Sequence, residues 1–326
     1  MSAFRTSLLG TVALLGFVCH VGADGWAQNY PAKPIRLVVA NSPGSNADFL
    51  ARIIAPELGG LLGQQVFVDN HPGAGTTIGT ELVARAQPDG YTLLSVNMPA
   101  AVNETLYPKR NYNLIRDFTA ITQLVSSSSL LVVHPSLPVK SVGELVKLAK
   151  AKPGVINVGH AGVGSVTFLA AELFKTLADV DVALIPYRGG GEVVNALVSG
   201  EVSVYFAPLT PVLSHVRAGR LRAIAALNNK RLKALPQYPT IGEAGYPDFK
   251  CDSWYGLLAP AKTPTAIIDK IHHAALDALN KPDVIVRFDQ LGFTPIGNQP
   301  QEFANFIKSQ VDMWGTIVRR TGIASE

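Results

Sequence analysis

Between residues 35 and 227 the chain alternates short apolar runs with amphipathic helical stretches, and this alternation limits its fold more than any other feature. Strand-like runs cover Ile35–Ala40, Gln65–Asp69 and Tyr91–Val96, with helical stretches over Asp48–Leu62 and up to Ala86 between them. The scheme repeats with strands at Val155–Gly159, Val182–Tyr187, Val202–Phe206 and Leu221–Leu227, and helices near Thr167–Leu177, Glu192–Ser199 and Pro211–Ala218. Apolar runs this short, separated by helices, predict a parallel α/β sheet. The last third reads as helical, over Thr265–Leu279, Val284–Leu291 and Gln301–Arg320. Ser45-x-x-Asp48, Ser141-x-x-Glu144 and Thr240-x-x-Glu243 have capping-box spacing, and Thr263-Pro264 fits an N-cap followed by a first helical residue.

Two stretches break the alternation. Residues 118–134 hold two β-rich runs around Ser126–Ser129 with no helix between them, and Arg222–Asn228 leads into the Pro-containing stretch 229–239. They read as crossings between two domains, one at 28–122 plus 228–326 and an inserted one at 123–227. Such a hinge opens a cleft at the carboxyl ends of the strands, where α/β sheets bind ligands.

The first 27 residues read as a signal peptide. Arg5 supplies the positive start, Leu8–Val18 the apolar run, and Val21-Gly22-Ala23 or Gly25-Trp26-Ala27 the small-residue cleavage site. An apolar run of this length is too short for a membrane span, so the expectation is export with cleavage of this segment. Cys19 leaves with the signal, and Cys251 then has no partner for an intramolecular disulfide. It reads as a small, partly buried residue.

Charged residues make up 16% of the chain and hydrophobic ones 48%, which excludes a disordered or coiled-coil chain. The net charge of +4 is spread without a basic run, so nothing supports a nucleic-acid partner.

Five loops are rich in small residues: Asn41–Asn46, Pro72–Thr77, Asn97–Ala100, His160–Ser165 and Arg188–Gly191. Small residues let a ligand approach backbone N–H groups, and each following helix adds the positive end of its dipole. Such loops converging on a cleft would hold a carboxylate without a full counter-charge. Gly73-x-Gly75-x-x-x-Gly79 imitates a dinucleotide fingerprint, but Asn97 and Met98 stand where the acidic residue belongs. No Gly-x-Ser-x-Gly elbow, HExxH, Walker A or CxxC is present, and no cofactor or metal is called for. His272 and His273 are adjacent and cannot form an i,i+4 metal pair. His134 and His215 read as surface or structural, whereas His160 stands open between ligand contact and structural role.

Ten segments, in order, resemble the extracytoplasmic solute receptors of tripartite tricarboxylate transporters, the Bug family. They are YPAKPIRLVV (30–39), the PG and Asp48 after the first strand, VDNHPGAG (68–75), ARAQPDGYTLL (84–94) and AKPGVINVG (151–159). IPYRGGG (185–191), GEVSVYF (200–206), AGRLRAIA (218–225), PTIGEAGYPDF (239–249) and SWYGLLAPAKTP (253–264) complete the set. The resemblance implies a two-domain α/β periplasmic-binding-protein fold of type II, a Venus flytrap hinged on two crossing strands. It also implies no enzymatic activity, and delivery of a small organic carboxylate by a monomer to membrane permease subunits. An exported α/β enzyme, or a sensor with a signalling partner, would use the same cleft.

The family pattern assigns ligand contacts to Ser42, Gly44, Ser45, Asn46 and Asp48 in the first loop and to Ala74, Gly75 and Thr76 in the second, with Met98 across the cleft. The other domain contributes His160, Gly164, Ser165 and Thr167, and the loops at Arg188 and Ala207. The chain departs from the pattern in three places. The first loop lacks the usual aromatic lead, Phe168 stands where His is common, and Ala207-Pro208 replaces an Asp-Asn pair. These departures read equally as drift or as altered specificity. The last one removes a carboxylate that could receive an ammonium, so the expected ligand is a non-amino carboxylate, dicarboxylates included. Arg188 is then either a bidentate partner for a second carboxylate or a surface residue.

Overall fold

The computed structural model describes residues 29–321 apart from 229, 233, 234, 250 and 252; the segment 1–27, read above as a signal peptide, lies outside the described residues. In chain order the elements are β1 (Ile35–Val39), α1 (Asn46–Leu62), β2 (Val66–Asn70), a 3-10 turn (Ala74–Thr76), α2 (Thr77–Ala84), β3 (Thr92–Asn97) and α3 (Met98–Leu106). Then come β4 (Phe118–Ser127), β5 (Ser129–Val133), α4 (Val142–Ala151), β6 (Asn157–His160), α5 (Val166–Ala178), β7 (Ala183–Pro186), α6 (Gly190–Ser199), β8 (Val204–Pro208), α7 (Leu209–Arg217) and β9 (Arg222–Ala226). The chain ends with β10 (Ser253–Pro260), α8 (Thr265–Leu279), α9 (Pro282–Gln290), β11 (Phe293–Pro295) and α10 (Pro300–Thr321).

The strands form two sheets, ordered β11-β4-β10-β3-β1-β2 and β7-β6-β8-β5-β9. β1 runs parallel to β2 and β3, and β6 parallel to β7 and β8, as expected of strand–helix alternation. Neither sheet is wholly parallel, however. β10 is antiparallel to β3 and β4, and β5 is antiparallel to β8 and β9, because the strands around the crossings enter each sheet without a crossover helix. The result is a two-domain α/β fold with mixed sheets.

The first crossing is a single residue. Ser127 ends β4 opposite Ser253, and Ser129 begins β5 opposite Pro208. Between them, Ser128 donates its N–H to the carbonyl of Gly292 (2.7 Å) and accepts from Leu209 N–H (2.9 Å). The side chain of Asn228 braces this point from the return crossing: Oδ1 accepts from Ser129 N–H at 3.0 Å and Nδ2 donates to Ser127 O at 3.2 Å. The return runs from Leu227 to β10. It bridges Ala226 to Thr240, buries Leu232 and Leu235 against the core beneath β5 and β8, and stacks Phe249 on Phe206 with ring centroids 6.0 Å apart.

The predicted caps meet different fates. Ser45 and Ser141 accept from the N–H groups of Asp48 and Glu144 and start α1 and α4. Thr240 and Glu243 bond reciprocally at 2.7 and 3.0 Å, but they close only a turn. Thr263 donates to Pro260 O, and Pro264 caps α8 in its place.

β10 and β11 lie inside the third that reads as helical. Every residue of β10 is buried, so the strand lacks the alternation that marks a half-exposed one. Gly256 is required there: a Cβ would meet the Phe303 ring of α10 at 2.3 Å and the Thr122 carbonyl at 2.7 Å. Trp254 lies on the same strand, wholly buried, and donates its indole N–H to Gln310 Oε1 at 3.1 Å.

Candidate functional site

A cleft of about 400 Å³ opens between the carboxyl ends of β1 and β3 on one side and the loop entering α5 on the other. A smaller chamber of about 80 Å³ lies beside it, and Val166, Ser253 and Tyr255 line both spaces. Among the described residues, no Lys, Arg, His, Asp or Glu lines either space. What faces them is the starts of helices. Thr76 and Asn97 cap α2 and α3 at the cleft, Ser165 caps α5 there, and Asn46 and Pro208 stand at the starts of α1 and α7 in the chamber. Partial positive charge without a mobile cation favours a small anion.

The 73–76 loop is held in an uncommon conformation. Gly73, Ala74, Gly75 and Thr76 all have positive φ, at 130°, 44°, 59° and 89°. A β-branched residue at such an angle is strained and persists only if its surroundings hold it. Here they do: Thr76 N–H donates to Gly73 O (3.0 Å), Thr80 Oγ1 donates to Thr76 O (2.9 Å), and Asn103 Nδ2 donates to Gly75 O (2.5 Å). Asn97 Nδ2 donates to Asn41 Oδ1 at 2.7 Å and joins the ends of β3 and β1.

On the opposite wall, Thr167 Oγ1 accepts from Ala161 N–H (3.0 Å) and lies 3.1 Å from Ser165 Oγ. Any side chain at Gly164 would meet Leu106 Cδ2 at 3.1 Å, so the two domains already touch across the cleft. Burial pushes the Tyr255 phenol up, against the effect of hydrogen bonding to Ser253 and Asn46, and keeps it a neutral donor.

The structure brings Ser42, Gly75, Thr76, Gly164 and Ser165 to the cleft, and Asn46 and Thr167 to the chamber. It does not bring the other expected residues to either lining. Gly44 N–H donates to Asp48 Oδ2, while Ser45 accepts from Asp48 N–H. Asp48 also pairs with Arg52 at 3.0 Å; burial opposes its ionisation, but the bonds from Arg52 and Gly44 prevail and hold its carboxyl below the usual range. These residues build the cap of α1. Ala74 belongs to the strained loop without lining the cleft, and Met98 and Ala207 are buried in the core. His160 is buried against Phe168, with ring centroids 4.9 Å apart, and burial lowers its pKa; it lines neither space. Arg188 is exposed, and its N–H donates to Glu192.

Several lining residues carried no sequence signal as contacts. Asn103 and Tyr107 reach the cleft from α3, whose helical turn follows a loop read only for its small residues. Ser127, Ser129, Cys251, Ser253 and Tyr255 meet in the chamber because the two crossings do. Cys251 is buried more completely than the partial burial expected of it.

Two α/β domains joined by paired crossings, with a cleft of neutral donors and helix starts between them, define a solute-binding protein of the periplasmic-receptor class. The chain belongs to the tripartite tricarboxylate transporter receptor family, whose model matches residues 50–323. It is 34% identical to Protein BugT of Bordetella pertussis over 319 residues, 97% of this chain and 98% of BugT. Among solved structures it resembles Rpa4515 of R. palustris with adipate (31% identity, TM-score 0.78, 91% of this chain and 99% of that one). It also resembles MatC (Rpa3494) of Rhodopseudomonas palustris with bound malate (31% identity, TM-score 0.75, 89% of this chain and all of that one, 100%). The family expected from the ten segments is therefore the family found.

Proposed function

We propose that the chain is an exported, monomeric periplasmic receptor that binds a small, non-amino organic carboxylate in the cleft and hands it unchanged to membrane permease subunits. The observation carrying this reading is a cleft ringed by helix starts, hydroxyls and amides with no charged side chain among its described lining. One carboxylate is held by Ser42, Gly75 and Thr76, and the far domain closes on the ligand with Gly164 and Ser165. A ligand ammonium would be buried there without a carboxylate partner, which is costly. The adipate and malate held by the two R. palustris proteins support the ligand class. No helix of the described residues is long and apolar enough to cross a membrane, in keeping with a receptor released by signal cleavage.

The same proposal divides the chain at the crossings. The sequence limits of 28–122 plus 228–326 and 123–227 mark the bodies, and the packing of Leu232, Leu235 and Phe249 argues for counting most of the return crossing with the inserted one. A thermal-shift panel tests the reading with succinate, adipate, malate and phthalate against aspartate and glutamate. Stabilisation by the acids, with ligand recovered intact, is expected; stabilisation by the amino acids alone, or turnover, overturns it. Co-purification of the liganded receptor with the permease subunits tests the partner.

A further inference from the structure

The turn that ends α3 carries a cleft residue on a rigid support. Tyr107 caps the helix, giving its N–H to Asn103 O at 3.1 Å, and its own carbonyl accepts from Arg110 N–H (3.2 Å) and Arg110 Nη1 (3.3 Å). Arg110 also donates to Glu104 O at 2.7 Å and forms an ion pair with the Glu104 carboxylate. The two side chains are only 12% and 4% exposed, and Glu104 accepts further from Leu114 N–H (2.8 Å) and Asn113 Nδ2 (3.0 Å). A buried ion pair is weak evidence for stability, because desolvation offsets its attraction. Here each of its bonds holds the turn after α3 in one geometry, and Tyr107 with it.

That geometry sets the phenol beside the strained loop. Tyr107 lines the cleft with Gly75 and Thr76. A Cβ at Gly75 would meet Tyr107 Cε2 at 3.2 Å and the hydroxyl oxygen at 3.3 Å, so the hydroxyl-bearing edge of the ring lies against the loop that seats the ligand carboxylate in the reading above. A phenol is neutral near pH 7 and has one hydrogen to donate. It therefore adds a donor to a described lining without any cation.

The groups around the phenol are apolar. Leu106 precedes Tyr107, and its Cδ2 lies 3.1 Å from where a Cβ on Gly164 would stand; Val163 precedes Gly164, and all of them line the cleft. Val163 is 60% exposed, so its side chain belongs to no core. A lone apolar residue on a plain surface needs no explanation. One that lines a cleft next to Leu106 and Tyr107 forms an apolar corner for a ligand. A carboxylate seated on the 73–76 loop brings its adjoining carbon chain to this corner, and a hydroxyl on that chain would lose water there.

We infer that Tyr107 is a specificity-determining residue of the cleft: its phenol donates to the carboxylate seated on the 73–76 loop, and its ring, with Leu106 and Val163, selects acids with an apolar carbon chain over their hydroxylated counterparts. This rests on the carboxylate-receptor reading and adds to it the kind of body the acid carries.

The test is calorimetry with acids that differ by one hydroxyl, butyrate against 3-hydroxybutyrate and succinate against malate, on the full mature chain, Tyr107→Phe and Val163→Ser. The wild type is expected to bind the member without the hydroxyl about tenfold or more tightly. Tyr107→Phe is expected to lose about tenfold for both members of a pair, the scale of a hydrogen bond to a charged acceptor, and to keep their ratio. Val163→Ser is expected to narrow the ratio. Unchanged affinity in Tyr107→Phe overturns the donor. A wild-type ratio near one, or a ratio that Val163→Ser leaves as it was, overturns the selection; both results leave the receptor reading standing. No binding of any acid by the wild type, in these pairs or in the thermal-shift panel, overturns both. If Tyr107→Phe melts early, the phenol belongs to the fold and the donor is overturned, and the ratio in Val163→Ser, a change at an exposed position, decides the selection.

Discussion

Asn103 Nδ2 reaches from α3 to the hydroxyl oxygen of Thr76 at 3.2 Å while also donating to the carbonyl of Gly75, so one buried amide fixes the strained start of α2. Asn103→Ala removes the donor from both. The expected cost is about 1–3 kcal/mol of stability, the scale for a buried acceptor left unpaired, together with weaker binding because the cleft loop relaxes. Urea unfolding and calorimetry on the same variant read the two effects.

Thr76→Ala separates ligand contact from capping. Thr76 caps α2 without a side-chain hydrogen bond to the helix, so the hydroxyl has no capping bond to lose. Affinity for the preferred carboxylate is expected to fall by about 1–3 kcal/mol, while the melting temperature falls less than in Asn103→Ala, because Asn103 loses its bond to the Thr76 hydroxyl but keeps the one to Gly75 O. A melt that shifts while affinity holds would remove Thr76 from the site.

Gly164 tests closure. It has φ of 78°, and a Cβ there would meet Leu106 Cδ2 at 3.1 Å across the cleft. Gly164→Ala is expected to hold the domains apart, with weaker binding and a larger radius of gyration in the liganded state by X-ray scattering. A liganded radius equal to the wild type's contradicts this role.

His160 predicts a pH dependence. Burial lowers its pKa below the ordinary 6.5, against a smaller opposing effect from the backbone of Gly162. The unfolded chain then binds more protons than the folded one below 6.5, so stability falls as pH drops from about 6.5 toward the folded-state value and is undiminished above that window. His160→Gln is expected to flatten the melting-temperature slope between pH 7 and 5. A slope identical to the wild type's assigns the acid sensitivity to other groups.

How far the sequence carries depends on how local each signal is. The strands β1, β2 and β3 and the caps at Ser45 and Ser141 are legible because residue type and spacing act within a few positions. β10 is not, because SWYGLLAP is buried throughout and loses the period that marks a strand. In the site, the loops holding Ser42, Thr76 and Ser165 are legible from their small residues and following helices. Spacing does not say which residues turn inward, so Asp48 in α1, Met98 in α3 and Ala207 in β8 are buried without lining the cleft or the chamber. The serines of the chamber are further still from any local signal, since only the crossings bring residues 127, 129 and 253 together.

The pairing of Ser127 with Ser253 has a consequence for how such a protein can change. β4 and β10 are antiparallel neighbours, so the whole five-stranded domain occupies the place of a hairpin loop. Chain leaves and re-enters the first domain at one rung of a ladder, and a turn of a few residues would close that rung. On the division proposed above, replacing the segment between Ser127 and Ser253 by a short turn would leave the register of β4 against β10 as it is.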